Sequence, residues 1–339
     1  MTAPDLLAAA ILAALVLYAL LAGADFGGGI WDLLAAGPRQ RAQRTLIEHA
    51  IGPIWEANHV WLILAVVLLF TGFPAAFAAV SIGLFVPLTL LLFGIVLRGA
   101  AFTFRTYDHP EDRVQARWGL VFSSSSAVAP VLLGAVVGTV ASGRLHAGAP
   151  DLWAWFSPFP LAVGAFAAAL FAFLAAAYLA VEADGPLRDD FRRRAIGAGV
   201  AVFACAALAG ALSYREAPVV FAGLTARGWS LPLHLATGVA AVLAFTALWR
   251  GAVRLARAAA AVQVALIVVG WGASQYPYLV VPDLTIAGAA APRATLVPVL
   301  WALAAGAALL FPALYLLFRV FKGERPFAVM DERPPRAGR

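Results

Sequence analysis

Apolar residues run along the chain in nine continuous blocks, at approximately 5–35, 46–70, 75–104, 115–141, 159–182, 194–213, 230–250, 257–277 and 294–320. Each is long enough to cross a bilayer core about 30 Å thick. A transmembrane β-strand would alternate apolar and polar residues over about ten positions. These blocks are unbroken and rich in Ala and Leu, so they predict nine helices and an all-α integral membrane fold. Twenty of the 24 Lys and Arg residues fall in alternate connections and the tail, and four in the others. That bias places residues 38–44, 98–117, 188–194, 250–257 and the C-terminal tail in the cytoplasm, with the N-terminus outside. One span more or fewer would destroy the alternation. The pattern predicts one polytopic domain, 1–322. A first four-helix bundle (1–141), a second (159–277) and a peripheral helix (294–320) would divide it, with a cytoplasmic tail at 323–339.

Composition agrees. Of 339 residues, 63% are hydrophobic and 12% charged, and mean hydropathy is +0.88. The charged fraction is about half that of a soluble domain. A soluble enzyme and a nucleic-acid-binding module are excluded, and the pI near 10 follows from topology. The single cysteine, Cys205, allows no disulfide within the chain. No basic residue precedes Arg39, so the first block is expected to stay as a helix and not to be cleaved as a signal peptide. Trp31, Trp153, Trp155, Trp229, Trp271 and Tyr276 fall near span ends and read as an interfacial belt. Pro87, Pro130 and Pro312 lie inside spans and predict kinks.

Ionisable groups inside a membrane are costly and mark function. Asp25 and Asp32 lie on the first span; Glu48, His49, Glu56 and His59 lie on the second. Asp25 and Glu56 sit about ten residues to either side of the first cytoplasmic turn. At 1.5 Å per residue the antiparallel pair places both carboxylates about 15 Å from the inner face. Asp32 is two turns from Asp25 on the same face, and Glu48 is eight residues before Glu56. Together Glu56, Asp25, Asp32 and Glu48 form acidic steps that suit a cytoplasmic proton entry. The structural alternative pairs each acid with an arginine such as Arg98. Gly23-Ala24-Asp25-Phe26-Gly27-Gly28-Gly29 predicts a close helix crossing. Trp55-Glu56-Ala57-Asn58-His59-Val60-Trp61 places Trp55, Asn58, His59 and Trp61, with Arg98, along a polar site. Glu-x-x-His is a metal-binding spacing, but a di-iron bundle needs two copies, so no metal site is assigned. His59 could serve as a haem ligand, although a lone membrane histidine is more often hydrogen-bonded inside a bundle. The serines at 123–126 can hydrogen-bond across helices.

The glycine motif, Gly52-Pro53-Ile54-Trp55-Glu56-Ala57-Asn58-His59-Val60-Trp61, Phe70-Thr71-Gly72-Phe73-Pro74, Arg98-Gly99-Ala100-Ala101-Phe102 and Gln275-Tyr276-Pro277 together resemble subunit II of the cytochrome bd-type quinol oxidases, including the cyanide-insensitive branch. The resemblance implies a complex with subunit I, and in many cases a small single-helix subunit, in the bacterial inner membrane. That complex oxidises quinol at the outer face and reduces O2 to water. Haem b and haem d, or b-type haem alone, would be held by the partner, with no catalytic residue on this chain; some relatives hold a quinone in this subunit. An acid at the position of Glu56 is associated in the family with proton delivery. His59 stands where other branches carry Gln, so haem ligation there is no family requirement. The competing readings are a secondary transporter, a purely structural partner without a proton role, and a cytochrome with haem on His59. A transporter is disfavoured because the second half has few intramembrane polar groups.

Overall fold

The structure is a computed structural model, which describes residues 2–51, 58–107, 113–146 and 151–322. Twelve helices are described: α1 (Ala3–Leu33), α2 (Gln40–Ile51), α3 (Val60–Gly72), α4 (Pro74–Gly83), α5 (Phe85–Tyr107), α6 (Arg113–Ser142), α7 (Pro158–Glu182), α8 (Gly185–Glu216), α9 (Pro218–Thr225), α10 (Ser230–Trp249), α11 (Val253–Gln275) and α12 (Arg293–Lys322). The strands among the described residues form a small antiparallel hairpin, β1 (Tyr278–Val280) with β2 (Leu284–Thr285), in the connection before α12.

Among the described residues, eight helices are long and apolar enough to cross a membrane: α1, α5, α6, α7, α8, α10, α11 and α12. The count reaches nine only if α3 and α4 form one span, and they are bent by 119°. The bend falls at Phe73, between the second and third predicted spans, and the third is interrupted at Leu84, between α4 and α5. α2 ends at Ile51 and α3 begins at Val60, with residues 52–57 outside the described set. α3 has 13 residues, about 20 Å of helix, too short to cross the core alone. The sequence marks the break, since Pro74 starts α4 and proline cannot extend a preceding helix without losing a hydrogen bond. Pro87 sits in the first turn of α5, and the helical run through the predicted third span is interrupted just before it, at Leu84, where Pro87 has no N–H to bond the Gly83 carbonyl. Pro130 and Pro312 do lie inside α6 and α12.

α1 begins with a capping box. The Thr2 hydroxyl accepts from Asp5 N, and Asp5 accepts from Thr2 N at 2.9 Å, which satisfies two otherwise orphaned donors. It ends before Gly37, whose φ of +80° turns the chain. α1 and α3 run antiparallel: Asn58 meets Asp25, and Gly72 meets Leu7. α7 is the most enclosed span, with 61% of its apolar window buried; α12 is the least, at 6%. α12 lies on the outside against α1 and α3, with Trp61 stacked on Phe311 at 6.4 Å. α1 packs against helices of both sequence halves: α3 and α6, and α7 and α11.

The ends of the molecule sort by the charge pattern. At one end Arg39 bonds Asp190, Arg194 bonds Gln43, and Arg192 bonds the carbonyls of Leu248 and Trp249. These join two of the predicted cytoplasmic connections, 38–44 and 188–194, to the end of α10. At the other end Arg144 bonds Glu216, His146 lies 3.3 Å from Asp283, and Ala291 N bonds Gly72 O.

The glycines of α1 set its spacing from its neighbours. A methyl at Gly23 would lie 2.7 Å from the Phe171 ring, and one at Gly27 would collide with the Phe171 carbonyl oxygen. A methyl at Gly29 would collide with Ser126. Gly27→Ala must push α1 off α7, because a backbone carbonyl cannot rotate aside, and should cost about 1–3 kcal/mol or more. Gly197→Ala on α8, with open space around it, should be neutral or stabilising by up to about 1 kcal/mol. Thermal melts of the two purified variants check this contrast.

Candidate functional site

Three helices and the entry to α3 enclose a polar cluster in an otherwise apolar region. Arg98 of α5 is 1% exposed, and Asp25 of α1 is 4% exposed. The Arg98 Nε donates to Ser126 Oγ of α6 at 3.1 Å, and the Ser126 hydroxyl donates in turn to Phe122 O at 2.7 Å. The guanidinium lies over two rings, Phe26 at 5.0 Å and Phe122 at 5.3 Å. Flat faces of negative potential on both sides stabilise a desolvated cation. Asp25 is near enough to act electrostatically on both Arg98 and Tyr18. The Asn58 amide, 1% exposed just before α3, donates to Asp25 Oδ2.

His59 follows Asn58. Its ring centroid lies 5.9 Å from that of Tyr18 and 5.8 Å from that of Phe26. Both its ring nitrogens are buried without a hydrogen-bond partner, as are Tyr18 OH and Arg98 Nη2. Among the described residues, no group of three or more His, Cys, Asp and Glu could hold a metal.

Asp32 forms a second polar level about 10 Å along α1 from Asp25. It is 1% exposed. The Ser123 hydroxyl of α6 lies 2.5 Å from Asp32 Oδ2 and 2.8 Å from Gly119 O. On the other side the exposed Arg44 of α2 places Nε 4.0 Å from Asp32 Oδ1. The acid is thus enclosed but linked to a group at the molecular end. Ser123 and Ser126 lie one turn apart on α6 and connect the two levels in space.

The sequence-derived candidates divide clearly. Asp25, Asn58, His59 and Arg98 come together. Asp32 lies one level nearer the end of α1. Glu48 is half-buried on α2, which packs on α1 and α7. Trp61 lies farther along α3, against α12. Trp55 and Glu56 fall outside the described residues. The serines at 123–126 bond across helices as expected, Ser123 to Asp32 and Ser126 to Arg98; Tyr18 was not singled out, although it is two turns before Asp25 on the same helix face, which was a usable signal. Two belt assignments change. Trp31 is 9% exposed and donates to Ala172 O at 2.7 Å, and Trp155 is 8% exposed; both point into the protein.

Residues 3–321 match the family model for cytochrome bd terminal oxidase subunit II, and the chain belongs to that family. It is 28% identical over 209 residues to cytochrome bd-I ubiquinol oxidase subunit 2 of Escherichia coli (strain K12), covering 58% of this chain and 53% of that protein. It is 34% identical over 124 residues to cytochrome bd ubiquinol oxidase subunit 2 of Bacillus subtilis (strain 168), covering 36% of each. The matched region spans about half, or less, of these curated relatives. The fold is similar to that of a chain in the bd oxidase of Geobacillus thermodenitrificans, with a TM-score of 0.81 and 23% identity, covering 96% of this chain and all of that one.

The cluster makes a test by substitution possible. Asp25→Asn leaves the Arg98 cation buried without its counter-charge and should cost about 3–5 kcal/mol. Arg98→Met with Asp25→Asn removes both charges and should recover most of that loss, as a double-mutant cycle reads directly. Denaturation midpoints of Asp25→Asn, Arg98→Met and the double variant in one detergent check it.

Proposed function

We propose that this chain is the haem-free partner of subunit I in a quinol-oxidising, O2-reducing membrane complex, and that it carries protons toward that partner from the cytoplasmic side. The observation that carries this reading is the pair of enclosed acids, Asp25 and Asp32, at two depths of one span, each bonded to a neighbouring helix. The complex would lie in the bacterial inner membrane with the Arg39 end inside, the side the basic residues favour. A first bundle, a second bundle and an outer α12 remain the proposed division of the chain. Haem b and haem d, or b-type haem alone, would be held by subunit I, where they supply the oxygen chemistry; a small single-helix subunit and a quinone in this chain complete the proposal.

This chain's own groups would act as follows. Asp32 takes up a proton beside Arg44, at the end where water reaches. The hydroxyls of Ser123 and Ser126 each donate and accept, so they offer steps along α6 between the acid levels. Asp25 receives the proton while Asn58 fixes its carboxylate. Arg98 holds negative charge on Asp25 between transfers, so the site recovers after each proton leaves. Glu56, in the segment before Asn58, is the exit group. Burial keeps bulk water from short-circuiting the path.

Oxygen uptake by the purified complex, measured beside its haem spectrum, tests the proposal. Glu56→Gln should lower turnover by about 100-fold, the lower end for loss of a positioned proton-transfer group, with the haem bands retained. Asp32→Asn should lower it as well. Full turnover in both variants would leave a purely structural partner; loss of haem together with turnover would point to assembly instead.

A further inference from the structure

A polar cavity of about 220 Å³ opens at the end where α1 stops, lined by Ala36, Pro38, Arg39, Gln43, Asp190, Arg193 and Arg194. It lies between the α1–α2 connection and the first turns of α8, so it is walled by both sequence halves. At about 30 Å³ per water it has room for several waters, more than a single ion needs. Its charges do not cancel. Arg39 is satisfied by Asp190, through Nε at 2.7 Å and Nη2 at 2.5 Å, and Gln43 Nε2 adds a third contact to that carboxylate at 3.3 Å. This leaves Arg193 and Arg194 in excess.

Arg194 is held in place. Its Nη2 donates to Gln43 Oε1 at 2.7 Å and to Leu34 O at 3.3 Å. Its guanidinium lies 5.3 Å from the ring centres of both Trp31 and Phe191. Its Nη1 has no hydrogen-bond partner. Arg193 is exposed, with no acidic partner among the described residues. A fixed guanidinium beside a free one, both on an open polar cavity, matches a phosphate group, which accepts several charge-assisted hydrogen bonds.

The level in the fold favours one source of that phosphate. The cavity sits where the apolar part of α8 begins, at Ala195, and where α1 ends with Leu33 and Leu34, exposed at 39% and 54%. Apolar side chains facing outward directly beside a basic cavity suit a molecule with acyl chains and an anionic head. We propose that this cavity binds the phosphate of an anionic phospholipid in the cytoplasmic leaflet and that the headgroup ties the α1–α2 connection to α8. The site is separate from the Asp25 cluster, and the proposal does not depend on the proton reading.

The test uses the assembled complex, delipidated in detergent, with Arg193→Gln as the variant. Arg193 makes no contact that the fold relies on, so folding should be unchanged. Phosphatidylglycerol, phosphatidylethanolamine and inorganic phosphate are each titrated against thermal stability, and bound phospholipid is counted by mass spectrometry. The expected result is that phosphatidylglycerol raises the melting temperature of the parent, that phosphatidylethanolamine does so less, and that Arg193→Gln binds phosphatidylglycerol about five-fold more weakly. That is the effect of removing one basic group near a membrane surface. Arg39→Gln is a second variant, which should weaken binding by freeing Asp190 to face the cavity. Stabilisation by inorganic phosphate equal to that by the lipid would overturn the lipid assignment and leave a soluble anion. Binding of phosphatidylglycerol unchanged in both variants would overturn the site.

Discussion

A guanidinium that is 1% exposed inside a membrane-spanning chain is the constraint from which the rest of the site follows. Taking such a charge out of water costs several kcal/mol even after relaxation. Arg98 can remain there only because its surroundings offset that cost together. Asp25 supplies opposite charge, Ser126 an acceptor, and Phe26 and Phe122 two ring faces. Those groups come from α1 and α6, so Arg98 on α5 determines how three helices sit. The same requirement draws Asn58 onto Asp25, which fixes where α3 can start.

The glycines of α1 are the steric half of that arrangement. Charges can meet across helices only if the backbones approach closely, and Gly29 faces Ser126, the residue that accepts from Arg98. Gly23 and Gly27 bring α7 equally close on another side of α1. Close backbone approach and buried polarity are thus one feature, since bulkier residues on α1 would part the helices and strand the arginine. This is why a motif of four glycines encloses an aspartate.

Much of this was legible in the sequence. The spans follow from apolar length, and the grouping of the basic connections at one end follows from the alternation of Lys and Arg. Asp25, Asn58, His59 and Arg98 could be named because a polar group at membrane depth is rare enough to stand out. What escaped was what depends on angle or on a partner. The 119° bend between α3 and α4 falls in the predicted connection between the 46–70 and 75–104 blocks, but hydropathy gives no angle for it. Trp31 sits at a span end like an interfacial residue, yet the nearby Ala172 carbonyl gives its indole N–H a better partner than the headgroup region does. Tyr18 reads as apolar filling until its neighbours are known.

The two acid levels differ in a way that bears on direction. Asp32 is linked to Arg44, which is partly exposed at the end of the molecule, and to Ser123, which can pass a proton either way. Asp25 is linked to Asn58 and lies near Arg98, neither of which changes charge easily in a membrane interior. The outer acid therefore has neighbours that suit exchange with water, and the inner one has neighbours that fix geometry and charge. A purely structural pair of carboxylates has no need of this asymmetry. The proton path proposed above would use it, because its inner site would have to return to the same charge after each transfer.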